Sequence, residues 1–210
     1  MKYDDLLKKV AHLPCFTVGF LAAGQNLAKI RLQISRWVKT GRLIRLNKGL
    51  YALAEPYQKT APEKFSIANA IKTPSYVSMQ SALAFYGMIP EYVPLITSVT
   101  TTRPGTIETP LGRFDFRHIN KNFFWGYTKI EFSNGQSAFL AYPEKALLDL
   151  IYLTSGGDSE DFIEQLRLQN LGKIDKNILK EFAKKTCSPK LIRASKYIER
   201  IIDDGEGVEL

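Results

Sequence analysis

The sequence predicts an α+β protein built from two unlike modules. Three observations carry this. Short stretches with helical apolar spacing come first and lead into two short apolar pieces around Asn47-Lys48-Gly49. Alternating β-rich runs fill the middle of the chain, and amphipathic helices close it. The charge divides in the same way: residues 1–60 hold eleven Lys/Arg against three Asp/Glu, while residues 61–210 hold eighteen of each. The whole net charge of +8 therefore sits in the first 60 residues. That is the pattern of a basic module that meets a polyanion, joined to a neutral module with another task.

The first module is expected over residues 1–54. "DDLLKKVAHL" is a short helix, acidic at its start and basic at its end, as the helix dipole favours. "FTVGFLAA", after Pro14, reads as a second short helix stopped by Gly24. "QNLAKIRLQISRWVKTG" is a third, with Leu27, Ile30, Ile34, Trp37 and Val38 on one stripe of 3.6-residue period and Gly41 at its end. On a helical wheel the opposite side carries Gln25, Lys29, Leu32, Arg36 and Lys39, with Arg31 and Gln33 on the flanks. "RLIRL" and "GLYAL" then form a hairpin about Asn47-Lys48-Gly49, decorated by Arg42, Arg45 and Lys48.

Three helices followed by a two-stranded wing is the order of a winged helix-turn-helix. The side chains suit double-stranded DNA. A helix fits the major groove, Arg and Gln read base edges, Leu32 suits a thymine methyl, and wing cations neutralise phosphates. The expected DNA-binding residues are Gln25, Lys29, Arg31, Leu32, Gln33, Arg36, Lys39, Arg42, Arg45 and Lys48. Lys39 and Arg42 read equally well as cations that suit the helix end.

Residues 55–64, with two prolines and polar spacing, read as a linker or seam. Residues 65–204 form the second module. "FSIANAI" is a helix. In "YVSMQSALAFYGMIP" Ser78 is the expected N-cap, Met79, Ala82, Leu83 and Tyr86 the apolar stripe, and Gly87 the stop. "LITSVTTTRPG" is β-rich and ends in a Pro-Gly turn. "GRFDFRHI", "YTKIEF" and "SAFLAY" alternate as strands, the last two joined at Asn134-Gly135. "PEKALLDLIYL" has proline at its first helical position. Amphipathic helices follow over residues 158–170, 175–185 and 189–202, and residues 205–210 read as a frayed tail. The aromatic run "NFFWGY" reads first as core, with a protein-contact patch as the alternative.

The chain resembles the AbiEi-family antitoxins of type IV toxin–antitoxin systems. The resemblance rests on an ordered set of blocks: "HLPCFT", "SRWVKTGRLIRLNKGLYAL", "YVSMQSALAFYGMIPE", "ITSVTT" and "AYPEKALLDLIYL". They run from residue 12 to residue 153, about two-thirds of the chain. Met79 and Gln80 stand where the family pattern has Leu and Glu. The resemblance implies a bacterial cytoplasmic phage-defence protein whose winged helix binds inverted repeats in its own promoter and represses the operon. It also implies a C-terminal domain that counteracts a nucleotidyltransferase toxin encoded alongside; a stable complex between the two is not assumed. Inverted repeats leave room for a dimer on DNA, and the sequence does not set the oligomeric state.

Other classes find less support. The N-terminus has two acids and no apolar signal core, and no apolar run is long enough to span a bilayer. Cys15 and Cys187 lie far apart and outside metal-type spacing, as free thiols of a reducing cytoplasm would. His12 and His118 have no metal-spaced partner, and there is no phosphate-binding glycine loop or nucleophile elbow. The enzyme reading that comes nearest is a nuclease with Asp115, Lys129 and Glu131 on adjacent strands. The plain alternative is charges on the wet face of strands. Glu144 suits a helix N-terminus, and Lys145 with Asp149 forms an i,i+4 pair. With the resemblance, Glu144, Lys145 and Asp149 become a candidate effector surface. No catalytic residue, metal or cofactor is expected. A single-component winged-helix regulator with a ligand- or partner-sensing second domain is the alternative function.

Overall fold

The computed structural model describes residues 1–22, 26–91 and 93–206. Among these residues the chain is α+β: helices with a three-stranded sheet come first, then a six-stranded sheet with its helices. In α1 (Tyr3–Val10), Asp4 and Asp5 occupy the first turn and Lys8 and Lys9 the last, matching the helix dipole. The helix expected from Phe16 is shorter than the sequence suggests. Phe16–Thr17 is an extended strand, β1, paired with Tyr51 and Leu50, and α2 is only Val18–Leu21. Thr17 explains the break: its Oγ1 accepts the Phe20 N–H at 3.2 Å, so it caps the helix rather than entering it. The expected stop at Gly24 lies outside the described residues.

Asn26 caps α3 (Leu27–Lys39), its Oδ1 accepting the N–H groups of Ala28 and Lys29 at 3.0 and 3.2 Å. Ile30 and Ile34 are buried and Trp37 and Val38 half-buried. Leu27 leaves the expected stripe: it is 40% exposed, standing at the helix start one turn before the first core contact. At the other end the Gly41 N–H donates to the Val38 carbonyl at 3.1 Å and the Arg42 N–H to that of Trp37 at 2.9 Å. This closed ending requires φ of +68° at Gly41, which glycine adopts without strain. The chain passes directly into β2 (Leu43–Asn47) and returns as β3 (Leu50–Leu53), giving a sheet of order β1-β3-β2.

Strand alternation gives this hairpin two apolar faces. Leu43, Tyr51 and Leu53 pack with Leu6, Phe16, Ile30 and Ile34 in the first core. Ile44, Leu46, Leu50 and Ala52 belong to the second, larger core. The turn is fastened too: the Asn47 side-chain amide donates to the Ile71 carbonyl at 3.1 Å, at the end of α4 (Lys64–Ile71). The segment expected as a linker is also tied down. Gln58 donates to the Leu53 carbonyl, the Glu63 N–H donates to Gln136 at 2.9 Å, and Gln136 donates to the Ala61 carbonyl at 2.7 Å.

The larger sheet contains β4 (Ser75–Val77), β5 (Leu95–Thr100), β6 (Gly105–Thr109), β7 (Gly112–His118), β8 (Tyr127–Glu131) and β9 (Ser137–Ala141). Their order is β6-β7-β5-β4-β9-β8. β4 and most of β5 are buried, as strands central to a covered sheet should be. Sequence reading misses β4, three residues between Pro74 and the next helix, and β6, which is polar because it forms a sheet edge. β6 lies beside β2 of the hairpin. The helices are α5 (Met79–Phe85), α6 (Pro143–Leu153), α7 (Glu160–Gln165), α8 (Lys176–Lys185) and α9 (Pro189–Glu206). α6 touches α5, α8 and α9 and is buried continuously from Glu144 to Ile151. α7 stops well short of the expected Asn170, because Arg167 and Asn170 take left-handed conformations. α9 runs on to Glu206, past the expected end at Ile202, and residues 207–210 lie outside the described residues.

The chain has one tryptophan in each unit, Trp37 and Trp125. Leu46→Ala removes a side chain that the second core surrounds, and we expect it to cost about 2–5 kcal/mol of stability. In Trp37→Phe and Trp125→Phe backgrounds, urea melts should give coincident midpoints that shift together. A shift seen by Trp125 alone would mean that the hairpin does not join the two units.

Candidate nucleic-acid interface

α3 and the hairpin enclose a cleft of about 700 Å³. Arg31, Ser35 and Lys39 line one wall, at successive helical turns, with Val38 between them. Arg45, Lys48, Gly49 and Tyr51 line the other. All four cations are exposed. Lys29, Leu32 and Arg36 are exposed on α3 outside this cleft, with Leu32 56% exposed despite its apolar side chain. The helix therefore offers two polar facets, one turned to the hairpin and one turned outward. Ser35 is a cleft residue that the sequence reading missed. Its position four residues from both Arg31 and Lys39 could have found it.

Not every residue expected at the interface stands here. Gln25 lies outside the described residues. Gln33 is half-buried beside Ile34, and its Oε1 is closed off with no hydrogen-bond partner among the described residues. It belongs to the edge of the apolar stripe rather than to the open face. Arg42 is exposed but does not line the cleft; its guanidinium lies 4.9 Å from the Tyr3 ring centroid, and the Tyr3 hydroxyl donates to the Arg42 carbonyl at 3.2 Å. Burial, and to a lesser degree Tyr57, pushes the Tyr3 phenol up to about 12, against the pull of Arg42. Arg42 thus ties the helix end to α1.

The candidate effector surface is not a surface. Glu144, Lys145 and Asp149 are only 3%, 2% and 1% exposed. Lys145 pairs with Asp149 Oδ1 and donates to the Tyr76 hydroxyl at 2.9 Å. Tyr76 and Ser78 donate to Asp149 Oδ2 at 3.0 and 2.8 Å. Both carboxylate oxygens are thus occupied in a closed circuit. Burial first, and then the Asp149 charge, push the Tyr76 phenol far above its ordinary value. Ser78, the expected cap of α5, gives its hydroxyl to this circuit instead of to the helix. Glu144 accepts the Asp175 N–H at 2.8 Å, joining α6 to the start of α8. Its carboxyl is raised by burial, with that hydrogen bond pulling the other way.

The "NFFWGY" aromatics help to seal the circuit. Phe124 and Tyr127 pack on Tyr76, with Tyr127 stacked at 4.5 Å. The ammonium groups of Lys145 and Lys185 lie 5.2 and 4.4 Å from the centroid of the Trp125 ring. Gly126 is required there: a Cβ would stand 2.9 Å from Lys145 Cγ, and φ is +76°. The run is thus half-buried, with Phe123, Phe124 and Tyr127 packed against the core rather than inside it.

The nuclease arrangement does not assemble. β7, with Asp115, and β8, with Lys129 and Glu131, are separated by β5, β4 and β9. Lys129 pairs with Glu131 at 2.9 Å, and Asp115 accepts from Thr106 at 2.7 Å. Among the described residues no group of three or more His, Cys, Asp or Glu could hold a metal ion, and no helix is long and apolar enough to cross a membrane. His12 and His118 are exposed, and Cys15 and Cys187 are free thiols.

A cation-bearing helix beside a cationic hairpin, on three helices and a small sheet, fits the class of winged-helix nucleic-acid-binding modules. Residues 4–54 match the model of a family described as transcriptional regulator, AbiEi antitoxin. The match spans α1 to the end of β3 and so contains the whole cleft. Comparison with curated proteins returned no match.

Asp149→Ala leaves the Lys145 charge buried without its counter-ion, and we expect a loss of about 3–5 kcal/mol in urea unfolding with DNA affinity retained. Replacing the whole circuit together, Lys145→Met and Asp149→Leu with Tyr76→Phe and Ser78→Ala, should restore most of that stability, because no buried polar group is then left unpaired. An Asp149→Ala protein of wild-type stability would show that the pair is not a buried clamp.

Proposed function

We propose that this protein is a DNA-binding transcriptional regulator of the antitoxin kind. Residues 1–54 act as a winged helix-turn-helix on double-stranded DNA, and residues 65–204 act as the effector domain. The observation that carries the reading is the convergence of Arg31, Lys39, Arg45 and Lys48 on one cleft inside the segment that matches the AbiEi antitoxin family. A cleft lined by cations on both walls suits a phosphodiester backbone. The outward facet, with Lys29, Leu32 and Arg36, then faces the major-groove base edges, where Arg and Lys favour guanine and Leu suits a thymine methyl.

On this reading the protein binds inverted repeats in its own promoter as a dimer and represses the operon. Its second domain counteracts a cognate nucleotidyltransferase toxin in the cytoplasm, a stable complex between the two not being assumed. A second reading, a single-component regulator, is favoured by one feature. A cleft of about 410 Å³ in the second unit has apolar walls from Val93, Leu95, Leu150 and Leu153 and polar groups from Gln80, Asp115 and Arg117. The neighbouring gene separates the two: a nucleotidyltransferase favours the first.

Fluorescence anisotropy against DNA from upstream of the gene and a scrambled duplex tests the assignment of the two facets. Arg31→Ala with Lys39→Ala should weaken binding to both duplexes and lower the salt slope by about two units. Lys29→Ala with Arg36→Ala should instead narrow the preference for the natural duplex, by about 1–3 kcal/mol for each base edge no longer read. If the two double variants behave alike, the division into phosphate and base facets is wrong.

A further inference from the structure

The cleft of about 410 Å³ in the second unit lies where the end of α6 meets β5 and β7. Its volume falls among those of small-molecule sites, about 300–1,000 Å³. β5 and β7 run parallel, with Thr97 beside Asp115 and Val99 beside Arg117, so both charges stand on the face that carries Leu95 and Thr97. Asp115 is the more covered of the two, its side chain 16% exposed against 53% for Arg117. Its Oδ1 accepts the Thr106 hydroxyl at 2.7 Å. Its Oδ2 lies 3.9 Å from Arg117 Nη1, beyond hydrogen-bond length, and accepts nothing else among the described residues. The Arg117 guanidinium and the Gln80 side chain likewise make no hydrogen bond among the described residues. Met79, in the wall next to Gln80, holds φ of +56°, a conformation costly for a residue with a long side chain.

We propose that this cleft binds a zwitterionic α-amino acid with an apolar side chain. Its ammonium sits on Asp115 Oδ2, its carboxylate on the Arg117 guanidinium, and its side chain against Leu95, Leu150 and Leu153. The assignment rests on the reading of the second unit as a ligand-sensing domain, and it names the ligand class. The two charges select that class. Asp115 lacks a donor and Arg117 lacks an acceptor, and they stand too far apart to hydrogen-bond each other. An α-amino acid carries both complementary charges at one end, so a single ligand serves both. A polyphosphate is disfavoured, because Glu91 also lines the cleft and two carboxylates would face it. An uncharged apolar ligand would cover Asp115 and Arg117 without pairing them. The site also has a route outward. The carboxylate that meets the ammonium holds Thr106 of β6, and β6 lies beside β2 of the hairpin.

The test is calorimetric titration of the full chain with L-leucine, L-methionine and L-phenylalanine. Each is run beside its corresponding amine and acid, which lack the carboxylate or the ammonium. At least one of the three should bind saturably, about tenfold or more tighter than its amine or its acid. Asp115→Asn keeps an acceptor for Thr106, so the urea midpoint should stay put while amino-acid binding weakens about 10–100-fold. Arg117→Ala should weaken it to a similar degree. No saturable binding of any of the three, an amine or acid that binds as well as its amino acid, or wild-type binding in both variants would overturn the site. Anisotropy on the upstream duplex at saturating amino acid tests the sensing reading separately. A change in DNA affinity of about fivefold or more supports it. Unchanged DNA affinity with amino-acid binding intact would overturn the sensing reading and leave the site standing.

Discussion

The burial of the hairpin on both of its faces is the constraint on which the rest depends. A two-stranded ribbon is marginal by itself in water, and a wing that projects into solvent leaves one face to the solvent. Here Leu43 and Leu53 close the first core while Leu46, Leu50 and Ala52 enter the second. The closed ending of α3 at Gly41 passes straight into this ribbon, so the orientation of the helix is set by the same packing. The two units share an element, and the shared element carries Arg45 and Lys48. Whatever meets the cleft meets a surface whose geometry the second unit helps to fix.

The second unit is organised around a different kind of interaction. Lys145 and Asp149 are buried together with Tyr76 and Ser78, and every carboxylate oxygen of the pair has a partner. Such a circuit adds little net stability over apolar side chains of the same size, but it penalises any packing that leaves one member unpaired. It ties α6 to β4 and to the start of α5, while Glu144 ties α6 to α8. With the aromatic run and Gly126 closing over it, this is a structural clamp. The open cleft of that unit lies elsewhere, beside Asp115 and Arg117.

Much of the first unit can be read from the chain because its signals are local. Charge placement, the period of α3, Asn and Gly at the hairpin turn, and Gly41 after the helix all act within a few residues. The features that escape sequence reading depend on distant partners. Phe16 and Thr17 look helical until Tyr51 and Leu50 offer a strand to pair with. β4 is too short to show a period, and its strand character comes from β5 and β9 on either side. Glu144, Lys145 and Asp149 look like an exposed group because an i,i+4 spacing says nothing about what covers the helix. One clue to the shared hairpin is present in the sequence: "GLYAL" is apolar in both phases of the strand period, the mark of a strand covered on both faces.

The central claim is that DNA meets one rigid surface made of α3 and a hairpin that the second unit holds in place. Amide hydrogen exchange of the full chain, with and without the DNA upstream of its gene, tests this most directly. The account predicts added protection in residues 27–39 and 43–51 together, with the hairpin amides already as slow as those of β5 before DNA is added. Fast exchange in the free hairpin, or DNA-induced protection elsewhere with α3 unchanged, would contradict it.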